Sequence, residues 1–379
     1  MTGQGTPARS STTPDKTRKK ILLLPADVTR AREAMTVRIY AAMADELLVA
    51  SSRNGSWRTE RRLAGSSPQA VAADPSRPEV VYCGTFNRGL WRSVNAGESW
   101  ERVGEDIVHD PVMAVVVSAV ERSGQYGVVY AGTEPSAVYR SEDRGETWRK
   151  LGGMRELPSA PEWSFPPRPE THHVRWISPD PNTSGRLFVA IEAGALIQTP
   201  DGGETWEDRT PDGPRDTHTL ATHKDAPDRL YSAAGDGFMA TGYGYAESGD
   251  AGATWQRFAE GLRHHYLWSV AVDPGDPETV VVSAASSPWQ AHDPRAAESI
   301  IYRKTAGEPW REVREGLPEI EGRTVAVLAA NGDEPGVFYA LTNEGLYRSR
   351  DAGSGWERLE IGRRDHYGRP TGLAVVEIG

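Results

Sequence analysis

The chemistry-bearing residues of this chain are concentrated in a few places. Its nine histidines are His109, His172, His173, His218, His223, His264, His265, His292 and His366. Seven of them lie within about seven residues ahead of a segment that reads as a short apolar strand, where random placement would put about one. A neutral imidazole with an ordinary pKa of about 6.5 can exchange protons near neutrality or ligate a divalent metal. Aligned on the start of those strands, Gln69, Arg175, His218 and Trp268 occupy one equivalent position. Two residues earlier stand Ser67, His173, Asp216 and Tyr266, and one further back Ser66, His172, Arg215 and His265. Strand side chains alternate with period two, so the first two rows are expected to share a side of their strands.

These rows nominate the site. His172, His173, His218, His265, Tyr266 and Asp216 are the candidate proton-transfer residues. Gln69, Arg175, Trp268, His264, Trp289, His366, Tyr367 and Arg369 are the candidate ligand-binding residues, with Arg175 and Arg369 suited to holding an anion. His172, His218 and His265, on three successive repeats, are the candidate ligands should a divalent metal be bound. No cofactor is needed for the fold. His223 and His292 fall outside the windows and read as ordinary surface residues, while Glu134, Glu192 and Glu344 sit in shorter loops of the same face. The two richest loops are Gly235 to Tyr245, glycine-rich and aromatic, and Ser283 to Ser299, which carries Trp289, His292, Asp293 and Arg295.

What must position these residues is a repeat. Tryptophans at 57, 100, 148, 206, 255, 310 and 356 close a short motif that recurs every 43 to 58 residues. Its clearest copies are Ser141-Glu-Asp143-Arg-Gly145-Glu-Thr-Trp148, Thr199-Pro-Asp201-Gly-Gly203-Glu-Thr-Trp206, Ser248-Gly-Asp250-Ala-Gly252-Ala-Thr-Trp255 and Ser349-Arg-Asp351-Ala-Gly353-Ser-Gly-Trp356. Ser93 to Trp100 is a fifth copy with Asn95 in place of the aspartate. Each unit also contains strand signals, as in Ala70–Asp74, Val80–Tyr82 and Gly89–Ser93. A fixed period of this length built from short strands predicts an all-β, seven-bladed β-propeller of four-stranded blades. The Asp is expected to accept the amides of its own turn, the Gly to take a positive φ, and the Trp to bury its ring between neighbouring sheets.

The motif resembles the Asp box, S-x-D-x-G-x-x-W, of the BNR/Asp-box propellers, the sialidase-like and sortilin-like group, over nearly the whole chain from about residue 37. The resemblance implies the propeller fold and a ligand site in the central funnel. It does not carry over the sialidase site. Those enzymes place F/Y-R-I-P ahead of the first box, and the nearest match here, Val37-Arg38-Ile39-Tyr40, lacks the leading aromatic and the proline. Single-domain Asp-box propellers of this size also resemble assembly factors for photosynthetic membrane complexes, which implies a non-enzymatic, protein-binding alternative.

Only six inner strands precede a box, near residues 70–74, 112–118, 174–178, 219–222, 268–272 and 325–330. Residues 35–42 and 46–50 read as second and third strands, while Gly372–Gly379 has no box after it. The C-terminal segment is therefore expected to pair into blade one and close the ring, removing unpaired edges. Residues 1–34 lie outside the repeat, are rich in Ser, Thr, Gly and Pro, and are expected to be disordered, with Met35 a candidate natural start. Their one apolar run, Ile21–Pro25, is shorter than the ~7–15 residues of a secretory signal. A net charge of −10 argues against nucleic-acid binding, and a single cysteine, Cys83, excludes an internal disulfide and fits a reducing, cytoplasmic setting. No apolar stretch reaches the ~18 residues of a membrane span.

The sequence thus points to a monomeric propeller that binds, and as an enzyme would transform, a polar small molecule or glycan in a His/Arg/Tyr/Trp-lined funnel. As an enzyme it would be a hydrolase or lyase, metal-dependent in one variant. A scaffold for a protein partner is the contrasting class.

Overall fold

Alternating apolar runs of four to ten residues, cut by Gly, Asp-Pro and Asp-Gly turns, fold into successive antiparallel sheets. The computed structural model describes residues 1–3, 36–53, 56–361 and 367–379. Thr36–Gly379 forms one compact unit, and all but the first three residues of the N-terminal extension, together with Met35, lie outside the described residues. Seven sheets follow in chain order, and the innermost strand of each packs against the innermost strand of the next, round to the first. This is the expected propeller. Among the described residues there is one short α-helix, Pro288–His292, and no helix long and apolar enough to cross a membrane.

Burial is graded across each blade. The second strands are buried along their length, as in Leu187–Ile191 and Phe338–Thr342, because neighbouring blades cover both of their faces. The outermost strands of blades two, three and five to seven are two to three residues long and largely exposed, as in Arg149–Lys150 and Glu357–Arg358, which leaves short, charged edges, whereas that of blade one, Ser56–Arg62, has seven residues. Blade four departs from the pattern. It has three strands, Val174–Pro179, Leu187–Ile191 and Ala195–Thr199, and its fourth is reduced to a single bridge between Gln198 and Glu207. Just beyond, Asp208 turns away to accept hydrogen bonds from the backbone and hydroxyl of Ser159, which diverts the chain from the ladder.

The repeated box is a hydrogen-bonded turn. In blade three the Ser141 hydroxyl donates to Asp143 (2.9 Å) and accepts the Gly145 amide (2.8 Å), while Asp143 accepts the Thr147 amide (2.9 Å) and hydroxyl (2.6 Å). The Trp148 indole donates to the Gly145 carbonyl (3.0 Å). Gly145 has the expected positive φ of 84°, but so does Arg144 before it, at 64°. Ala96, Ala251 and Ala352 repeat this, so the turn strains a non-glycine residue, and the Ser and Asp bonds hold it there. Trp148, Trp255, Trp310 and Trp356 are buried in clusters that span adjacent blades, whereas Trp206 is half-buried and donates instead to Gly152 of the preceding blade.

Ring closure is as expected. Pro370–Ile378 pairs antiparallel with Thr36–Met43, from Thr36↔Ile378 to Ala42↔Gly372, and becomes the innermost strand of blade one.

Candidate functional site

The residues aligned at one position in the sequence share a backbone feature. In the innermost strands of blades two to six the pairing register slips by one residue near the start. The slip falls at Gln69, Met113, Arg175, His218 and Trp268. In blade one it falls at Thr371. Each is a β-bulge, which leaves one residue unpaired and re-aims its side chain. The propeller therefore carries a ring of bulged residues at one end of its central strands, and on blades four to six these are an arginine, a histidine and a tryptophan.

The three side chains meet. The Arg175 guanidinium lies 4.4 Å from the centre of the Trp268 ring, and the His218 ring is 4.6 Å from it. His292 closes on the same indole edge-on at 4.4 Å, brought in by the helix Pro288–His292 of blade six. That helix is started by Ser287, whose side chain caps the Gln290 amide, with Pro288 at its first turn. The row two residues earlier joins the group. The Tyr266 hydroxyl is 3.5 Å from His218 Nε2 and 3.3 Å from His292 Nε2. His173 Nε2 is 2.7 Å from Glu192 Oε2, and Arg175 Nε is 3.6 Å from that oxygen. Behind them Glu134 accepts from Nε and Nη2 of Arg168 (3.0 and 2.6 Å).

Asp216 forms the open side. Its side chain is 25 % exposed, against 1 % for His218 and 12 % for Glu192. Its carboxylate accepts the Ala193 amide (2.8 Å), and Asp236 in turn accepts the amides of Arg215 and Asp216. The loop glycines make this approach feasible. A Cβ on Gly235 would lie 2.0 Å from Asp216 Oδ2, and one on Gly237 would lie 1.9 Å from the His265 carbonyl oxygen.

Electrostatics push the two carboxyls apart. Burial alone would raise the Glu192 carboxyl, but His173, His218 and Arg175 outweigh it and hold it well below the usual range. Burial raises Asp216, and the nearby Glu192 and Asp236 charges add to it against His218. Burial keeps His292 neutral, lowering it to about 3, with His218 and Arg369 contributing, and drives the Tyr266 hydroxyl well above its ordinary value. An ionised carboxylate beside one held toward its neutral form can exchange protons with a substrate. The same group of lone pairs can also hold a cation.

Other nominated residues are placed elsewhere. His172 and His265 do not converge with His218. They stand one residue away from the row of His173 and Tyr266, and strand alternation turns them to the other side. His172 lies between the Ser136 hydroxyl (2.7 Å) and the Arg155 guanidinium (2.5 Å), and His265 is half-buried with Nδ1 unpartnered. His264 hydrogen-bonds the Tyr302 hydroxyl (2.6 Å) within blade six. Tyr367 is buried between blades seven and one, its hydroxyl donating to the Ile361 carbonyl (3.1 Å). Gln69 is half-buried and donates to the carbonyls of Ser67 and Pro68. Arg369 is exposed, and its charge reaches Arg175 and His292. Trp289 is 66 % exposed and packs edge-on against Phe238 (5.7 Å). His366 lies outside the described residues.

Of the two residues read as surface histidines, His223 is buried and His292 half-buried. His223 donates to or accepts from its neighbours within the core, with Nε2 3.0 Å from the Asp273 carbonyl, and so ties blade five to blade six. His292 belongs to the cluster. It escaped the sequence windows because it arrives from the loop between second and third strands, where the Ser-Pro helix start was the available signal. A separate cavity of about 440 Å³, lined by Arg229, Glu247, Lys304 and Trp310, lies away from the cluster, and its charges are largely spent on one another.

No family model matches the chain, and no curated protein matches it. Solved structures do. A GH74 enzyme of Niastella koreensis superposes with a TM-score of 0.63 at 16% identity, covering 84% of this chain and 52% of its own. YCF48 bound to D1 peptide gives a TM-score of 0.53 at 16% identity, covering 77% and 81%. The WD40 propeller domain of Doa1 gives 0.53 at 11%, covering 82% and 88%. The chain spans about half the length of the Niastella koreensis enzyme and 39% of an ancestral GH74 enzyme. At these identities the likeness is one of fold: the chain is a seven-bladed β-propeller similar to glycoside hydrolase and non-enzymatic propellers alike.

Proposed function

We propose that this propeller binds a small, hydroxyl-rich ligand of the carbohydrate type at the mouth of its funnel, on blades four to six. One observation carries the reading: Arg175, Glu192, Asp216, His218, Tyr266 and His292 converge from three blades, and Arg175 Nε is buried without a hydrogen-bond partner. Buried polar groups are normally satisfied, and an exception in a cleft marks a place for a ligand. Carboxylates accept sugar hydroxyls and guanidinium donates to them, while the exposed rings of Trp289 and Phe238 offer apolar faces beside the opening. Glycoside hydrolysis is the reaction to assay first, a choice that rests on fold analogy with the GH74 enzymes.

The test is calorimetric titration with a panel of neutral and acidic oligosaccharides. Binding by the wild type is expected to weaken at least about 10-fold in Arg175→Ala and in Glu192→Gln, the loss of one charged hydrogen bond. A panel with no binder, or variants that bind as the wild type does, overturns the reading.

A second reading has its own observation. Phe238, Met239, Tyr243 and Trp289 are exposed large apolar side chains on the two loops of blades five and six, which suits a protein partner. A Met239→Ser/Tyr243→Ser double variant that loses a partner while keeping oligosaccharide affinity would favour it.

A further inference from the structure

We propose that Glu192, Asp216 and His218 hold one divalent cation at the funnel mouth. One ligand atom of each lies within 4.8 Å of the others, and the three come from two adjacent blades. His218 Nε2 is 3.8 Å from Glu192 Oε1 and 3.6 Å from Asp216 Oδ1. Both distances exceed a hydrogen bond. They match instead the separation of two ligands on one ion, about 3 to 4 Å when each bond is about 2.0 to 2.3 Å.

A second observation concerns the imidazole itself. His218 Nδ1 is 2.6 Å from the Leu267 carbonyl oxygen, an acceptor only, so the ring proton resides on Nδ1. In the neutral imidazole Nε2 then presents a lone pair, fully buried and facing two carboxylate oxygens. The Tyr266 hydroxyl stands between two imidazoles, 3.3 Å from His292 Nε2 and 3.5 Å from His218 Nε2, so its one proton serves at most one of them. Three lone-pair donors facing one another repel unless a positive charge lies between them. A carbonyl on the far nitrogen of a ligating histidine is the usual device for fixing its tautomer and orientation.

The surroundings are arranged to keep the donors in place. His173 holds the other oxygen of Glu192 at 2.7 Å, and the Ala193 amide holds Asp216 at 2.8 Å. Gly235 leaves the space they need, since its Cβ would stand 2.0 Å from Asp216 Oδ2 and 2.9 Å from His218 Cε1. One imidazole and two carboxylates suit Zn²⁺ or Mn²⁺ over softer ions. The partial exposure of Asp216 leaves coordination positions open, which two hydroxyls of a bound ligand could occupy.

The full chain, stripped with EDTA and dialysed, would be titrated with MnCl₂ and with ZnCl₂ by calorimetry, without any oligosaccharide, beside elemental analysis of the untreated protein. The expected result is one equivalent bound by the wild type and by a His172→Ala/His265→Ala control. Affinity should fall at least about 100-fold in His218→Gln and in Asp216→Asn. Circular dichroism shows whether each variant is folded; Asp216→Asn, at the open side, keeps the test decisive if His218→Gln is not. No stoichiometric binding by the wild type, or equal binding by a folded Asp216→Asn, overturns the proposal. Oligosaccharide binding that persists in EDTA by a protein that takes no metal would overturn the cation site and leave the ligand reading standing. A bound cation with no oligosaccharide binding would do the reverse.

Discussion

At the scale of single residues, the chain separates turn-building polar groups from site-building ones. The box aspartates spend their carboxylates locally: Asp143 is bonded to Ser141 and to both the amide and hydroxyl of Thr147. Asp143→Ala leaves those donors without their acceptor and the strained Arg144 unsupported. It is expected to cost about 1–2 kcal/mol, read by calorimetry as a melting midpoint lower by about 2–4 °C, with ligand affinity unchanged. His172 gives a pH dependence. Burial, with help from Arg155, lowers it from its usual value to about 4, so between pH 6.5 and 4 the unfolded chain binds a proton that the folded one refuses. Its contribution is fully present above pH 6.5 and is lost as pH falls toward 4, on the order of 1–3 kcal/mol. Denaturant melts across that range should show this slope, and His172→Gln should flatten it. An unchanged slope in the variant would assign the dependence to other groups.

At the scale of elements, the bulge decides which residues meet. Alignment of the repeats brought Gln69, Arg175, His218 and Trp268 to one position, and period-two alternation linked them to His173, Asp216 and Tyr266. Much of the site was therefore legible. The same alternation argues against grouping His172 and His265 with His218, since they stand an odd number of residues from the bulge position. What the sequence could not show is the bulge itself, because a register slip depends on the partner strand and leaves no mark of its own. Nor could it show Glu192 accepting from His173, a pairing made at the end of the Val174–Pro179 and Leu187–Ile191 ladder. Gly235→Ala tests the element directly. Its new methyl group collides with Asp216 and His218, so ligand affinity should fall at least about 10-fold, with about 1–3 kcal/mol of stability lost to overpacking. A variant with native affinity would mean that Asp216 can shift without consequence.

At the scale of the whole molecule, the seven-fold repeat and its closure were the most legible features, because box, strand and turn signals recur together at one period. The three-stranded blade four was not, since its fourth strand is lost through the contact of Asp208 with Ser159, far away in sequence. Deleting residues 371–379 removes the innermost strand of blade one and exposes the edge of Thr36–Met43. The truncated protein is expected to aggregate and to lose its cooperative melting transition, as measured by size-exclusion chromatography and calorimetry. A monodisperse truncation that melts like the parent would show that the other six blades suffice.

Closure also sets an order in time. The strand that completes blade one is the last of the ring to be synthesised, whereas its partner, Thr36–Met43, is the first. Until then that first sheet has a bare edge, while blades four to six, which hold the charged cluster, are built wholly from strands adjacent in sequence. The seam of the ring is the last part that can form.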